Sequence, residues 1–425
     1  MQYRPLGRTG LSVSAIGLGT MTWGRQNTEA EGHAQMDAAL DRGINFWDTA
    51  EMYAIPPTAD TYGKTEEVIG SWFQSRGKRD RVILASKIIG LPAGGFGWVR
   101  EGKSRLDRAN LFAAVEASLS RLKTDYIDLY QIHWPDRVTN RFGGRTYQHK
   151  PEQDAVPIEE TLAALAELVQ AGKIRHVGLS NESPWGVMRW LRAAEVAGLP
   201  RVASIQNAYN LLNRTFENGL SEVALREDVG LLAYSPLAAG TLTGKYLNGA
   251  IPPGSRRSLD HRPSRYNTVN ADAATEAYLD IARRHGLAPN QMAIAFTLQK
   301  PFVTSSLIGA TTMETLISNI DSLDLTLSPE VMAEIDAVHN RMPDPCPAVS
   351  CNPGPIRVIR VDCSPLPPHS AFKRLAWGRA VAATGPVSLE VPHAPPVRRA
   401  RPDGGGSPAA GRSGRRGARR ALDRA

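Results

Sequence analysis

The sequence predicts an α/β fold: a (β/α)8 TIM barrel, entered through an N-terminal β-hairpin and followed by a disordered C-terminal tail. Three observations carry this reading. Eight short β-rich runs alternate with amphipathic helical segments, the glycine fingerprint of an open dinucleotide-binding sheet is missing, and the composition breaks near residue 344.

The elements follow in order. Gln2–Arg4 and Leu11–Ser14 flank Gly7-Arg8-Thr9-Gly10, a hairpin expected to plug the bottom of the barrel. Eight strands are expected at Ala15–Leu18, Asn45–Asp48, Val82–Lys87, Ile127–His133, His176–Ser180, Ser204–Asn207, Leu231–Tyr234 and Ser306–Ile308. Between them, Leu111–Leu122 and Thr161–Gln170 repeat Leu, Val and Ala at three- and four-residue steps, the period of a helix with one buried face. Alternation of this kind gives parallel strands with crossover helices, and eight is the count at which the sheet closes. The alternative, an open doubly wound sheet, would need a third glycine after Gly17-Leu18-Gly19, and none follows.

The chain has 425 residues and a formal charge of +8, which at first hints at a polyanionic partner. Residues 345–425 hold 14 Lys+Arg against 4 Asp+Glu, leaving 36 basic and 38 acidic residues in the body. A body at −2 is thus joined to a tail at +10. All three cysteines, Cys346, Cys351 and Cys363, fall in the tail, with 13 of the 30 prolines. The division is therefore placed at 1–344, the barrel domain, and 345–425, a Pro/Gly/Arg-rich extension whose composition favours disorder. Arginine pairs such as Arg415-Arg416 could neutralise phosphates, but Phe372 and Trp377 are the tail's only large aromatics, so nucleic acid is not expected elsewhere and is disfavoured here. The cysteine spacing does not match paired CxxC zinc ligands, and no metal site is expected.

No apolar run approaches the roughly 18 residues of a spanning helix. Arg4 and Arg8 interrupt any secretory h-region, and the body lacks cysteine, so the expected location is the cytoplasm.

In a barrel of this type, chemistry belongs where the strands end. Asp48, Lys87 and His133 close the second, third and fourth predicted strands, and Tyr53 lies five residues past the second. Singly, each has a structural explanation: a helix cap, a snorkelling lysine, a core histidine, a loop aromatic. Together, after three consecutive strands, they converge on one pocket. A phenol is a poor acid at neutral pH unless a nearby ammonium lowers its pKa, and a buried ammonium needs a carboxylate partner. Tyr53, Lys87 and Asp48 meet those needs, while His133 orients a carbonyl oxygen. Such a site protonates oxygen while a hydride reaches carbon, and no side chain donates hydride, so a nicotinamide or flavin is required.

These residues lie in Phe46-Trp47-Asp48-Thr49-Ala50-Glu51-Met52-Tyr53, Ala85-Ser86-Lys87 and Asp128-Leu129-Tyr130-Gln131-Ile132-His133-Trp134-Pro135. The set resembles the catalytic tetrad of the aldo-keto reductase superfamily, over residues 2–343. Gly178-Leu179-Ser180-Asn181-Glu182 and the run Gln206–Arg214 make it most similar to the bacterial Tas-type group of NADP(H)-dependent members. The resemblance implies reduction of aldehydes or ketones to alcohols by hydride from NADPH, with Tyr53 as general acid assisted by Lys87, Asp48 and His133. It also implies cofactor contacts at Thr20, at Ser180, Asn181 and Gln206 for the carboxamide, and at Tyr234 for the ring face. Ser235, Leu237, Gly240, Lys245 and Arg256 resemble the family's flap over the pyrophosphate, and Gly309, Thr311, Thr315 and Asn319 fall at the adenosine end. Thr315 and Ser318 stand where relatives often carry Gln or Arg and Glu, and no Lys or Arg occurs from Gly309 to Asn319. NADP(H) is favoured through Arg256 and Lys245, with NAD(H) left open.

The connection Asp136–Pro157 is expected to form one wall of the substrate pocket. Trp23, Trp98 and Trp134 lie in loops on the same face, either as further walls or as packing residues. A second function remains open: a barrel that retains its cofactor as a redox sensor or binding subunit, similar to potassium-channel β subunits. The physiological carbonyl compound and the oligomeric state are not specified. Family members end near Pro343–Pro347, so the extension is either functional or the product of read-through or a frame shift.

Overall fold

Two short antiparallel strands open the chain, β1 (Tyr3–Pro5) and β2 (Ser12–Ser14), with Tyr3 opposite Ser14. Eight parallel strands follow: β3 (Ile16–Gly19), β4 (Phe46–Asp48), β5 (Ile83–Ile88), β6 (Ile127–Ile132), β7 (Ile174–Ser180), β8 (Val202–Ala208), β9 (Gly230–Tyr234) and β10 (Val303–Ile308). In this computed structural model, which describes residues 1–91, 96–140, 142, 147, 149, 154–260 and 264–346, they close into a barrel in chain order, with β10 pairing back onto β3. The predicted barrel and hairpin are thus present. The tail from residue 347 onward, including Cys351 and Cys363, lies outside the described residues.

Expected and observed strands differ mainly at their starts. β7, β8 and β10 begin two or three residues earlier than their apolar runs, because backbone pairing already starts at Ile174, Val202 and Val303. The helices behave likewise. The apolar stripe beginning at Leu111 belongs to a helix that starts at Arg108, after Asp107 caps it by accepting the Asn110 N–H at 2.8 Å. A cap carries no periodicity, so the stripe locates the helix but not its first turn. Ser183 with Pro184, and Thr312, start the helices Pro184–Ala197 and Met313–Ile320 in the same way.

Leu6 and Val13 of the hairpin pack with Phe46, Ala85, Leu129, Ala203, Leu232 and Leu307. Those six side chains come from strands all around the barrel, so they fill its interior and the hairpin closes the bottom. Arg4 secures the plug by donating to the carbonyls of Val303 and Leu298, both at 2.6 Å. Gly7 makes the turn at φ +54°, where a Cβ would lie 2.4 Å from the Ala203 carbonyl oxygen. Gly7→Ala is therefore expected to lower the unfolding free energy by about 1–3 kcal/mol in urea titration. A larger core of aliphatic and aromatic side chains fills the space between strands and helices. Among the described residues, no helix is long and apolar enough to cross a membrane.

With its bottom plugged, the barrel offers its opposite face, where the parallel strands end, for chemistry.

Candidate active site

Side chains alternate along a strand, so the inward set two residues beyond the apolar layer is fixed by register. Phe46 leads to Asp48, Ala85 to Lys87, and Leu129 to Gln131 and then His133. Lys87 pairs in register with Gln131, and Ser180 with Gln206. A polar layer thus sits directly above the apolar plug.

Within it, Lys87 is fully buried, and its Nζ donates to Asp48 Oδ2 at 2.6 Å and to the Thr49 carbonyl at 2.7 Å. The same nitrogen lies 3.5 Å from the Tyr53 hydroxyl. The other Asp48 oxygen accepts from Gln206 Nε2 at 2.7 Å and Gln131 Nε2 at 3.0 Å. Asp48 therefore has its lone pairs occupied on both sides and holds Lys87 beneath Tyr53. The His133 ring stands edge-on to Tyr53, with centroids 5.9 Å apart, and its Nδ1 is buried with no hydrogen-bond partner. The structure brings all four predicted residues to one place.

The electrostatics differ from the expectation based on Lys87 alone. Burial raises the Tyr53 phenol above its ordinary range, and Lys87 offsets only part of this because Asp48 opposes it. Burial prevails over the ammonium, so Tyr53 keeps its proton. Burial works against the Lys87 charge, yet Asp48 and Tyr53 outweigh it and hold the ammonium above the usual lysine value. His133 is held well below its ordinary value, first by burial and then by Lys87, and is a neutral imidazole.

The residues expected at the nicotinamide end join the same network. Ser180 Oγ donates to the Gln206 carbonyl at 2.8 Å, and Asn181 Nδ2 donates to the His133 carbonyl at 2.9 Å. Tyr234, at the end of β9, donates to Asn181 Oδ1 at 2.7 Å. Thr20 Oγ1 donates to the Asp48 carbonyl at 2.9 Å and so ties the ends of β3 and β4. Gln206 departs from a purely cofactor-facing role, since its amide nitrogen is bound to Asp48 and to Gln131.

Ser235, Leu237, Gly240, Lys245 and Arg256 lie in the connection after β9. Ser235 has φ +55° and Gly240 φ +89°. Lys245 is exposed, and Arg256 Nη1 comes within 3.9 Å of Met21 Sδ in the loop after β3, so this segment reaches over the barrel mouth. Gly309 and Thr311 are exposed on the loop after β10, and Thr315 lies in the first turn of the helix Met313–Ile320. Asn319 on that helix is fully buried; its Oδ1 accepts from Asn290 at 3.1 Å, while its Nδ2 has no partner among the described residues. Adjacent loops after the last two barrel strands, a helix N-terminus and an orphaned buried amide fit a dinucleotide phosphate.

Gln131 was missed in the sequence reading, although its alternation with Leu129 and His133 marks it as inward-facing. Glu51 was missed too. It is fully buried, accepting from Ile89 N at 2.8 Å, Tyr62 OH at 2.6 Å and Arg100 Nη1 at 2.7 Å. Through these bonds it fastens the loop that carries Tyr53 to the end of β5. Its one signal was a carboxylate inside the apolar stretch between Asp48 and Tyr53.

The three tryptophans separate. Trp23 is fully buried in the core between strands and helices with its Nε1 on Gln35, and is a packing residue. Trp98 and Trp134 pack with Met52, Ile55, Tyr53 and Phe142 around the pocket. Asp136, at the start of the connection to Pro157, accepts from Leu91 N and Val156 N and so ties the two ends of this loop. Away from the barrel mouth, His285, Glu330 and Glu334 approach one another, but Arg284 already engages Glu334.

Residues 15–340 match the Aldo/keto reductase family. The chain is 52% identical to Protein tas of Escherichia coli over 347 residues, which is 82% of this chain and all of that protein. It is 34% identical to an L-glyceraldehyde 3-phosphate reductase of Escherichia coli, covering 79% and 92% of the two chains. A probable voltage-gated potassium channel subunit beta of rice is 33% identical, covering 81% and 98%.

Proposed function

This chain belongs to the aldo/keto reductase family, and we propose that it reduces aldehydes or ketones to alcohols with NADPH as hydride donor, Tyr53 supplying the proton. The hydrogen-bonded series Asp48–Lys87–Tyr53 beside His133 carries this reading. When bound, the nicotinamide supplies the hydride.

The protein side of the reaction is proton transfer at one oxygen. A neutral His133 donates an N–H to the carbonyl oxygen and orients it, and a protonated Tyr53 gives up its hydroxyl proton as negative charge develops there. Lys87 then stabilises the resulting phenolate, with Asp48 keeping the ammonium in place. Ser180, Asn181 and Gln206 would hold the carboxamide and Tyr234 would face the ring, while Thr20 steadies Asp48. Ser235, Leu237 and Gly240 would offer backbone to the pyrophosphate, and Lys245 and Arg256 would add positive charge. Gly309, Thr311, Thr315 and Asn319 would take the adenosine end. We favour NADP(H) over NAD(H) on those two cations; fluorescence titration showing NADH bound as tightly as NADPH would reverse that choice.

The decisive assay is NADPH oxidation by the purified protein with 4-nitrobenzaldehyde and methylglyoxal. Turnover above background supports the reductase; tight cofactor binding with background turnover would establish the sensor reading instead.

The charge states set the pH profile. Tyr53 works protonated and has a raised pKa, and His133 works neutral and has a depressed one. The reduction rate is therefore expected to be flat from about pH 6.5 to about pH 10, the ordinary values of the two groups, because both shifts widen the plateau. A stopped-flow profile that declines through neutral pH would contradict these assignments.

A further inference from the structure

Most buried guanidinium groups in this protein have a carboxylate. Arg100 pairs with Glu51, Arg121 with Glu66, Arg137 with Glu182, Arg79 with Asp128, and Arg214 with Glu217 and Asp336. Arg265 does not. Among the described residues no carboxylate lies within ion-pair distance of it, and its Nη1 is buried with no hydrogen-bond partner.

Its neighbours place it at the pocket. Arg265 engages the Tyr234 hydroxyl, and Tyr234 bonds Asn181, which in turn bonds the backbone of His133. On another side, its guanidinium carbon lies 6.0 Å from the ring centre of Phe142, which packs against Trp134 next to His133. Among the described residues, the Tyr266 ring and the Cys346 thiol also lie near it. It therefore stands where the segment after β9 meets the loop after β6.

Burying a cation without a countercharge is costly, and burial alone would drive its pKa down. Here the neighbouring phenols more than offset that burial, so the guanidinium stays charged. A retained charge with an unused donor, one side chain away from the groups that surround the reacting carbonyl, is suited to a planar or tetrahedral oxyanion.

We propose that Arg265 anchors a carboxylate or phosphate carried by the carbonyl substrate, so that the enzyme prefers acidic aldehydes or ketones to neutral ones. This rests on the reductase reading above. The anion supplies the countercharge that the described residues do not, and the distance from Arg265 to the catalytic residues sets where the carbonyl falls.

The test compares 4-formylbenzoate with benzaldehyde, measuring kcat/KM for wild type, Arg265→Gln and Arg265→Lys with NADPH. Wild type is expected to favour the carboxylate by ten-fold or more. Arg265→Gln should lower that ratio by about ten- to one hundred-fold, the size of one charge-assisted contact, and Arg265→Lys should retain part of it. An equal fall for both aldehydes in both variants would make Arg265 a structural residue and overturn the proposal. So would an unchanged ratio with NADPH affinity weakened ten-fold, because the guanidinium would then serve the cofactor's diphosphate.

Benzoate binding to the NADP⁺-loaded protein, read calorimetrically, separates this proposal from the reaction itself. Arg265-dependent binding without turnover of any aldehyde would retain the anion site and refute the reductase reading. Reduction of benzaldehyde with no preference for 4-formylbenzoate would do the reverse.

Discussion

Tyr53→Phe is expected to lower kcat for NADPH-dependent aldehyde reduction by about 10²–10⁴-fold, the usual contribution of a positioned general acid. The substitution removes one oxygen and keeps the ring, which packs against His133 and whose centre lies 4.9 Å from the Lys87 ammonium. The variant should therefore fold and bind NADPH with an affinity within a few-fold of wild type, so that the loss appears in turnover. Single-turnover kinetics would locate it in the chemical step. Wild-type rates in this variant would refute the assignment of Tyr53, and another donor would have to be sought among the polar side chains of the pocket.

Lys87→Met is expected to cost both turnover and stability. It leaves the Asp48 carboxylate buried, with two amide donors on Oδ1 but no countercharge on Oδ2. Breaking a buried pair from one side typically costs about 3–5 kcal/mol, which urea unfolding would register. Adding Asp48→Asn removes the stranded charge while keeping an oxygen for Gln131 and Gln206, so the double variant should regain most of the lost stability. Turnover should stay low, because nothing remains to stabilise the phenolate. If the double variant recovered its activity along with its stability, the pair would be a structural device and Tyr53 would act without it.

How much of this could be read from the chain depends on the scale of the feature. Alternating strands and amphipathic helices are periodic over many residues, so the barrel and the plugging hairpin were legible, as were the ends of β4, β5 and β6. Strand starts at Ile174 and Val303 and the first helical turn at Arg108 were not, because backbone pairing and capping leave no apolar period. Trp23, open along the chain between a pocket wall and a packing residue, is settled only by the fold, where it is buried and its Nε1 finds Gln35.

The sequence by itself determined the fold class, the break in composition near residue 344 that separates the −2 body from the +10 tail, and the placement of Asp48, Lys87 and His133 at strand ends with Tyr53 in the loop after the first of them. Tertiary structure decided what those side chains do to one another. Register set Gln131 and Gln206 on Asp48, and packing buried Glu51 under the Tyr53 loop. Burial raised the Tyr53 phenol, with Asp48 opposing the Lys87 ammonium that alone would lower it. Arg265 gave no sign along the chain, because an unpaired charge is a relation between distant segments. Charge, desolvation and hydrogen bonding act through space, and only the closed barrel fixes which residues share it.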